Sequence, residues 1–257
     1  MAMNPLVGAF VFCLACHATV DAQRGRGESG FEWTKRMAAG STITIRNGDG
    51  FIHVGESSSD LVEVRATKTR LRAARNDVAF DVDESRGGAM ICTLYDRQRS
   101  CGERSRSSRN TSLRVEYTVL VPRDIRVDVS TGRGEISVER AGSAVTASTG
   151  IGRVFVTTER GPVNVSTGSG DVDVRIQSSP ADADVTVTTG SGLIRVAVPT
   201  DFNGEVDARS ENGTLRTDFE ITILGRIDAH QIRGTIGRGG ARIRLQTGNG
   251  RIELRKS

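Results

Sequence analysis

A template of alternating apolar residues that turns through a glycine-rich corner recurs along this chain. In each copy, the last apolar residue before the corner lies seven positions ahead of the first one after it. Alternation with period two predicts β-strands, and the odd offset reverses the apolar parity, so the chain must bend at every corner. The clear copies are Ile43, Ile45, Ile52, Val54; Val127, Val129, Ile136, Val138; Val145, Ala147, Val154, Val156; Val163, Val165, Val172, Val174; Val185, Val187, Ile194, Val196; and Ile243, Leu245, Ile252, Leu254, with a softer copy at Val206, Ala208, Leu215, Thr217.

The corners share a Thr-Gly-x-Gly pattern or a close variant of it. Glycine adopts positive φ without a Cβ clash, which suits a sharp bend. The corners are Asn47-Gly48-Asp49-Gly50, Thr131-Gly132-Arg133-Gly134, Thr149-Gly150-Ile151-Gly152, Thr167-Gly168-Ser169-Gly170, Thr189-Gly190-Ser191-Gly192, Glu211-Asn212-Gly213 and Thr247-Gly248-Asn249-Gly250.

The spacing of the copies is nearly constant. Those that begin at residues 127, 145, 163, 185 and 206 are 18, 18, 22 and 21 residues apart. A fixed period is typical of repeat architectures, in which each corner stacks on the next. We predict an all-β, β-helix-like solenoid with coils of about 18–22 residues and Gly-rich corners; the alternative is an antiparallel β-sandwich or meander. Weaker matches extend the period over nearly the whole chain: Val62, Val64, Leu71, Ala73; Phe80, Val82, Ala89, Ile91; and Ile227, Ala229, Ile236.

The pattern breaks at about residues 93–112, which we interpret as an inserted loop. Cys92 and Cys101 flank its first part, and an even cysteine count in an exported chain predicts a disulfide that tethers its base. Free thiols, or a zinc site completed by His53 and His230, are the alternatives. The loop carries five arginines as candidate anion-binding residues: Arg97, Arg99, Arg104, Arg106 and Arg109.

The N-terminus resembles a secretory signal. An apolar stretch runs from Leu6 to Ala15, and small residues precede a cleavage site that we place before Gln23. This predicts a signal peptide over 1–22, a lead segment over 23–39 and one β-repeat domain over 40–257. We expect an exported protein of the periplasm, cell surface or extracellular space, with no transmembrane span after signal removal; lipid anchoring at Cys16 is the minor alternative.

Arginine dominates the charge. Lysine and arginine total 35, against 31 acidic residues, and only three of the basic residues are lysines. Guanidinium groups bind carboxylates, sulfates and phosphates through paired hydrogen bonds, so acidic polysaccharide or an anionic cell surface is the expected partner. Aromatic residues make up 4% of the chain, too few for base stacking, and we expect no nucleic acid. Besides the loop, one basic cluster stands out: Arg65, Lys68, Arg70, Arg72 and Arg75.

Three segments carry a family resemblance. Phe31-Glu-Trp33 with 40–54, Ile91-Cys92 with 115–122, and 239–254 are similar to the start, middle and end of a bacterial family of exported, uncharacterised β-strand-repeat proteins described as "putative adhesins". The resemblance covers about residues 31–257. It implies a β-solenoid-like fold and a surface or periplasmic location, and it brings no catalytic motif with it.

Acidic residues on the predicted strands bear on catalysis and metal binding. Asp171 and Asp173 project to one side of a strand, as a polysaccharide-cleaving enzyme on a β-helix requires. The residues placed on neighbouring coils are Asp182, Asp184, Asp207 and Arg175. The corner at 167–174 is similar to glycine-rich calcium repeats, but it has Val172 where those repeats have aspartate. We therefore expect no cofactor or metal. We therefore predict a non-enzymatic structural or binding module, with a polysaccharide lyase or hydrolase and an envelope scaffold or sensor as alternatives; the oligomeric state stays open.

Overall fold

A computed structural model describes residues 30–70, 78–85, 87–95, 98, 100–101, 113–178, 184–223 and 230–257. The predicted signal peptide and Cys16 lie outside these residues. The strands are β1 (Gly30–Arg36), β2 (Thr42–Asp49), β3 (Ile52–Glu56), β4 (Leu61–Arg70), β5 (Val78–Ser85), β6 (Gly88–Tyr95), β7 (Leu113–Val121), β8 (Arg126–Arg133), β9 (Ile136–Ala141), β10 (Val145–Ile151), β11 (Val154–Thr158), β12 (Val163–Ser169), β13 (Val172–Ile176), β14 (Val185–Ser191), β15 (Ile194–Val198), β16 (Gly204–Asn212), β17 (Leu215–Thr217), β18 (Gln231–Ile236), β19 (Ala241–Asn249) and β20 (Ile252–Lys256). Within the described residues, no helix is long and apolar enough to cross a membrane.

The strands form two mixed sheets of ten strands each. Sheet A has the order β1-β4-β7-β3-β9-β11-β13-β15-β20-β17, and sheet B has the order β18-β16-β19-β14-β12-β10-β8-β2-β6-β5. Each coil consists of a sheet B strand, a corner and a sheet A strand, and neighbouring coils pair in parallel through both sheets. The stacking of coils that the repeat predicted is confirmed for this parallel part of the fold.

The predicted apolar positions fill the space between the sheets. They stack in register, as in Val145↔Val163↔Val185 of sheet B. All residues of the six clear copies are buried, whereas Leu215 and Thr217 of the softer copy are only partly buried. Burying apolar surface stabilises by about 25 cal/mol per Å², so these rows supply much of the stability.

The corners hold because their glycines approach the neighbouring coil closely. Gly152 has φ +157°, and a Cβ there would lie 1.9 Å from the carbonyl oxygen of Gly134. The first corner glycine, Gly150, has no positive φ, but a Cβ on it would lie 2.5 Å from the carbonyl oxygen of Gly132. The corner threonine points inward, and the Thr149 hydroxyl donates to the carbonyl of Gly134 at 3.2 Å.

Both ends of the stack depart from the predicted solenoid. β1, β4, β5 and β18 pair in antiparallel fashion with their neighbours, so the weaker repeat matches are wrong as coils. The segment that holds Phe80 and Ala89 is a hairpin, because Val82 pairs with Ile91 across an antiparallel turn. Val62 and Val64 lie on antiparallel β4, and Ile236 lies on β18. The remaining members of those matches, Leu71, Ala73, Ile227 and Ala229, lie outside the described residues.

The antiparallel strands close the N-terminal end of the stack. Phe31 of β1 stacks on Phe80 of β5 with ring centroids 5.0 Å apart. Trp33 and Lys35 of β1 both donate to the Glu84 carboxylate of β5, which joins the outermost strands of the two sheets. Such a polar cap is what a solenoid needs at its ends to remain soluble. The lead segment predicted over 23–39 thus contributes the strand β1 to sheet A.

Candidate anion-binding surface

The insertion begins where the edge coil β6–β7 would otherwise have its corner. Cys92 and Cys101 form a disulfide, as predicted, so their thiols are not available to zinc. The Cys101 amide donates to Asp81 Oδ2 at 3.0 Å, which ties the base of the insertion to β5. The five candidate arginines lie outside the described residues, and their role stays a prediction: Arg97, Arg99, Arg104, Arg106 and Arg109.

The other basic cluster predicted from the sequence is divided by the alternation of β4. Arg65 faces outward and pairs with Glu32 at 2.8 Å. Lys68 has the opposite parity, and its Nζ lies 5.4 Å from the centroid of the Phe80 ring. The side chain of Arg70 and the residues Arg72 and Arg75 lie outside the part of the chain that the structure describes. The two cations that can be placed therefore do not form one anion site.

The carboxylates considered for catalysis join neighbouring coils. Asp173 Oδ2 accepts a hydrogen bond from Arg195 Nη1 at 3.0 Å, and Asp171 accepts one from the Leu193 amide at 2.9 Å. Asp184 accepts from the Arg242 amide, and Asp207 accepts from Gln231 on β18, both at 2.9 Å. Asp182 lies outside the described residues. Each of these four described carboxylates thus has a structural partner on an adjacent strand or, for Asp171, in an adjacent corner.

A group of arginines gathers on the outer face of sheet A, and we call it the arginine patch. Asp173, Arg195, Glu253 and Arg216 are register neighbours across β13, β15, β20 and β17. Strands lie about 4.8 Å apart, so these four strands span about 14 Å. At the next outward position along these strands, Ala197 lies between Arg175 of β13 and Arg255 of β20. The members of the patch are Arg175, Arg195, Arg216, Arg251 and Arg255.

Glu253 organises the patch from beneath. Its side chain is only 4% exposed, and its carboxylate pairs with Arg255 at 2.8 Å, Arg195 at 3.3 Å and Arg251 at 3.5 Å. Burial alone would raise the pKa of this carboxyl group, but the hydrogen bonds and charges of Arg255 and Arg195 outweigh burial and lower it below its ordinary value. Glu253 is therefore ionised at neutral pH and holds three guanidinium groups together.

The patch retains positive charge and free donors. Five guanidinium groups face two carboxylates, those of Asp173 and Glu253. Arg175 and Arg216 are exposed and form no ion pair with another described residue. The three arginines around Glu253 are still 39–49% exposed, and each guanidinium carries five N–H donors, of which these contacts use a part. A carboxylate or sulfate group can therefore bind in the plane of a guanidinium through paired hydrogen bonds.

The sequence contained part of the signal for this patch. Asp173, Arg195, Glu253 and Arg216 all occupy the polar position between the two apolar residues that follow a corner, so the template places them on one outer row. Their order could not be predicted, because chain order would put Arg195 beside Arg216. The structure places β20 between β15 and β17, so that Glu253 separates the two arginines.

Comparison with solved structures finds similar chains described as adhesins. A "putative cell adhesion protein" of Clostridium sporogenes is 13% identical, with a TM-score of 0.47, over 89% of this chain and 100% of that one. A "putative adhesin" of Bacteroides fragilis is 8% identical, with a TM-score of 0.24, over 90% of this chain and 98% of that one. A "putative adhesin" of Parabacteroides merdae is also 8% identical, with a TM-score of 0.28, over 88% and 96%. No curated protein matches the sequence significantly.

The sequence profile of one family matches the part of the chain that contains the parallel coils from β8 onward. The family is described as Toastrack DUF4097, and the match runs over residues 126–255, just over half of the 257 residues. It includes every residue of the arginine patch and confirms the resemblance seen in the sequence. This chain belongs to the Toastrack DUF4097 family.

Proposed function

We propose that this protein is an exported, non-enzymatic structural and binding module of the cell envelope or surface, with an adhesin-like role. Its ligand is an acidic polysaccharide or an anionic cell surface that carries carboxylate or sulfate groups. The observation that carries the proposal is the arginine patch, in which five guanidinium groups share one outer face and three of them are held by the buried Glu253. Guanidinium groups held in place lose little conformational entropy on binding an anion.

Export is supported by the cysteine chemistry. Disulfides form and persist in oxidising compartments, and Cys92–Cys101 is such a bond. The apolar N-terminal stretch with its small residues before Gln23 supports the same location. The arginines of the insertion form a second candidate contact, attached to the edge coil at the other end of the stack from the patch.

The patch is tested by a charge-matched pair of variants. One variant carries Arg175→Gln, Arg216→Gln and Arg251→Gln; the control carries Arg126→Gln, Arg153→Gln and Arg160→Gln, which change three exposed arginines that form no ion pair with a described residue. Binding to heparin, polygalacturonate and neutral dextran is measured by co-sedimentation at low and moderate salt. Because a hydrogen bond to a charged group contributes about 1.5–3 kcal/mol, we expect the patch variant to bind the acidic polymers at least about tenfold more weakly, and the control to bind nearly as the wild type.

Three results would overturn the proposal or move its site. Equal binding by the two triple variants would remove the patch from the site, because both lose the same net charge. If only replacing the five insertion arginines with serine weakens binding, the insertion is the contact. New reducing or unsaturated polymer ends in the same tubes would indicate a polysaccharide-cleaving enzyme, and Asp171→Asn with Asp173→Asn should then abolish turnover.

A further inference from the structure

The last coil of the chain is not the last coil of the stack. β19 and β20 lie between the coil β14–β15 and the coil β16–β17, although both of those coils precede them in the sequence. To reach this slot the chain leaves β18, which pairs with one edge of β16, and passes over β16 to its other edge. The C-terminal coil, Ala241–Lys256, therefore enters a slot whose two walls are made by earlier segments.

The C-terminal coil pairs with its two walls in both sheets and through hydrogen bonds at the corner. On one wall Thr247 donates to the Gly192 carbonyl at 3.3 Å and the Gly192 amide donates to the Asn249 carbonyl at 2.9 Å. On the other wall the Gly250 amide donates to the Asn212 carbonyl at 3.0 Å, and Ser210 donates to the Gly250 carbonyl at 2.9 Å. Leu245 lies in register between Val187 and Ala208 in the core.

Charge favours this coil over an empty slot. If the C-terminal coil were absent and the two walls of the slot paired directly, β15 would lie beside β17 in the same register. Arg195 would then lie beside Arg216. The inserted Glu253 is paired with Arg195 at 3.3 Å and is the register neighbour of Arg216. Like charges directly opposite on adjacent strands destabilise a sheet, and opposite charges stabilise it.

The connection into the slot is a glycine hinge. Gly237, Gly239 and Gly240 all have positive φ, at 57°, 78° and 138°. The Arg238 amide donates to Asn203 Oδ1 at 2.9 Å, which holds the turn above the start of β16. Ile236 and Ala241 share Gly204 as register partner, so the turn crosses two strand spacings, about 9.6 Å. Glycine also adopts extended conformations readily, so residues 237–240 can extend away from β18 instead of turning back over β16.

We propose that two copies of this chain exchange their C-terminal coils, each filling the slot of the other. Every contact of the coil with its slot is the same in the exchanged dimer, and only the hinge conformation differs, which is the condition for domain swapping. The proposal goes beyond the proposed function: each arginine patch would combine Arg195 and Arg216 of one copy with the Glu253 coil of the other. The dimer would carry two patches and bind a polymer bivalently.

Hinge length tests the exchange in the full chain. Deleting Arg238 and Gly239 leaves three Cα–Cα steps, at most about 11 Å when straight, which is too short to arch over β16. We expect this variant to fold as a dimer, with twice the 27.5 kDa mass of the chain in light scattering. Duplicating Arg238-Gly239 is the matched control and should give a monomer. The wild-type chain, refolded from denaturant, should give dimer at high concentration and monomer at low concentration.

A cross-link identifies which chain fills the slot. Thr188 and Gln246 are exposed register partners on β14 and β19, at a spacing that a disulfide can bridge. Thr188→Cys with Gln246→Cys, in a background where serine replaces Cys13 and Cys16, should join two chains on a non-reducing gel of the shortened-hinge dimer. In the lengthened-hinge control the same pair should close within one chain.

Several results would overturn the exchange. A shortened-hinge variant that is folded and monomeric would do so, as would a dimer whose cross-links all lie within single chains. If the shortened-hinge variant does not melt cooperatively, the wild-type refolding series decides, and wild-type chain that is monomeric at every concentration would refute the proposal.

Discussion

At the scale of single residues, Glu253 is the charged group on which the patch depends. A carboxylate that is almost completely buried is costly unless it is paired, and here three arginines pair with it. Those arginines are about half exposed, which screens each ion pair and limits its contribution to stability. The larger effect of Glu253 is positional, because it draws together guanidinium groups that would otherwise repel one another.

We predict that Glu253→Gln destabilises the protein by about 1–2 kcal/mol at pH 7, since it leaves the arginines without their shared carboxylate. The pKa of Glu253 is lowered in the folded state, so its stabilisation is present above the ordinary value of 4.5 and is lost as the pH falls through the lowered value. Urea unfolding between pH 7 and pH 3 should show a shallower pH dependence for the variant. Glu205→Gln, which removes an exposed pair with Arg242, is the control and should stay within about 0.5 kcal/mol. Equal losses in the two variants would contradict the organising role of Glu253.

At the scale of the elements, the corner combines two devices. Glycine permits the close approach of adjacent coils, and the inward hydroxyl of the residue before the first glycine binds a carbonyl of the coil beneath. Thr131, Thr149, Thr167, Thr189 and Thr247 all make this hydrogen bond to a corner glycine, at 3.2–3.3 Å. The threonines are buried, so an unpaired hydroxyl or carbonyl there would carry a desolvation cost.

Two adjacent threonines on β14 make it possible to measure the effect of this hydrogen bond apart from the effect of strand propensity. Thr189 is 2% exposed and donates to the Gly170 carbonyl at 3.2 Å, whereas Thr188 faces solvent. We expect Thr189→Val to lower the free energy of unfolding by about 1 kcal/mol, because the Gly170 carbonyl loses a buried donor. Thr188→Val, the same chemical change, should stay within about 0.5 kcal/mol. Chemical denaturation measures both free energies of unfolding. A Thr189→Val protein as stable as the wild type would show that the hydrogen bond from the corner threonine contributes nothing to stability.

The sequence was sufficient to predict the parallel coils but not their order. The alternation around Val145 and Val163 is strict. Because the corner reverses the parity of the apolar positions, there are few ways to bury the apolar residues of the strands on both sides of it. At the ends the same alternation occurs in hairpins: Phe80, Val82, Ala89 and Ile91 match the template, yet β5 and β6 pair in antiparallel register. The insertion of the last coil is a long-range choice. It depends on Glu253 meeting Arg195 and Arg216, which no local pattern encodes.

At the scale of the whole molecule, the stack is nearly one-dimensional. Each coil contacts its neighbours through two parallel ladders, so a defect in a central coil separates the two halves. The antiparallel strands and the Trp33–Glu84 contact close the N-terminal end, and the insertion of β19–β20 locks the last three coils together. The central coils between these ends rely on their own apolar rows and on the threonine hydrogen bonds at their corners, so the burial of the apolar rows must be uninterrupted there.

We therefore predict that Val165→Asp abolishes the cooperative melting transition, while Asn164→Asp does not. Val165 is completely buried between Ala147 and Val187, and an unpaired carboxylate at that depth costs several kcal/mol, a large part of the stability of a domain. Asn164 is exposed on the same strand, so its variant carries the same added charge into water. Thermal melts by circular dichroism, with limited proteolysis to locate the damage, compare the two. Cleavage confined to the coils around β12 would indicate that the two halves fold independently, whereas loss of the whole pattern would indicate that the stack folds as one unit. Equal melting of the two variants would be incompatible with an inward Val165.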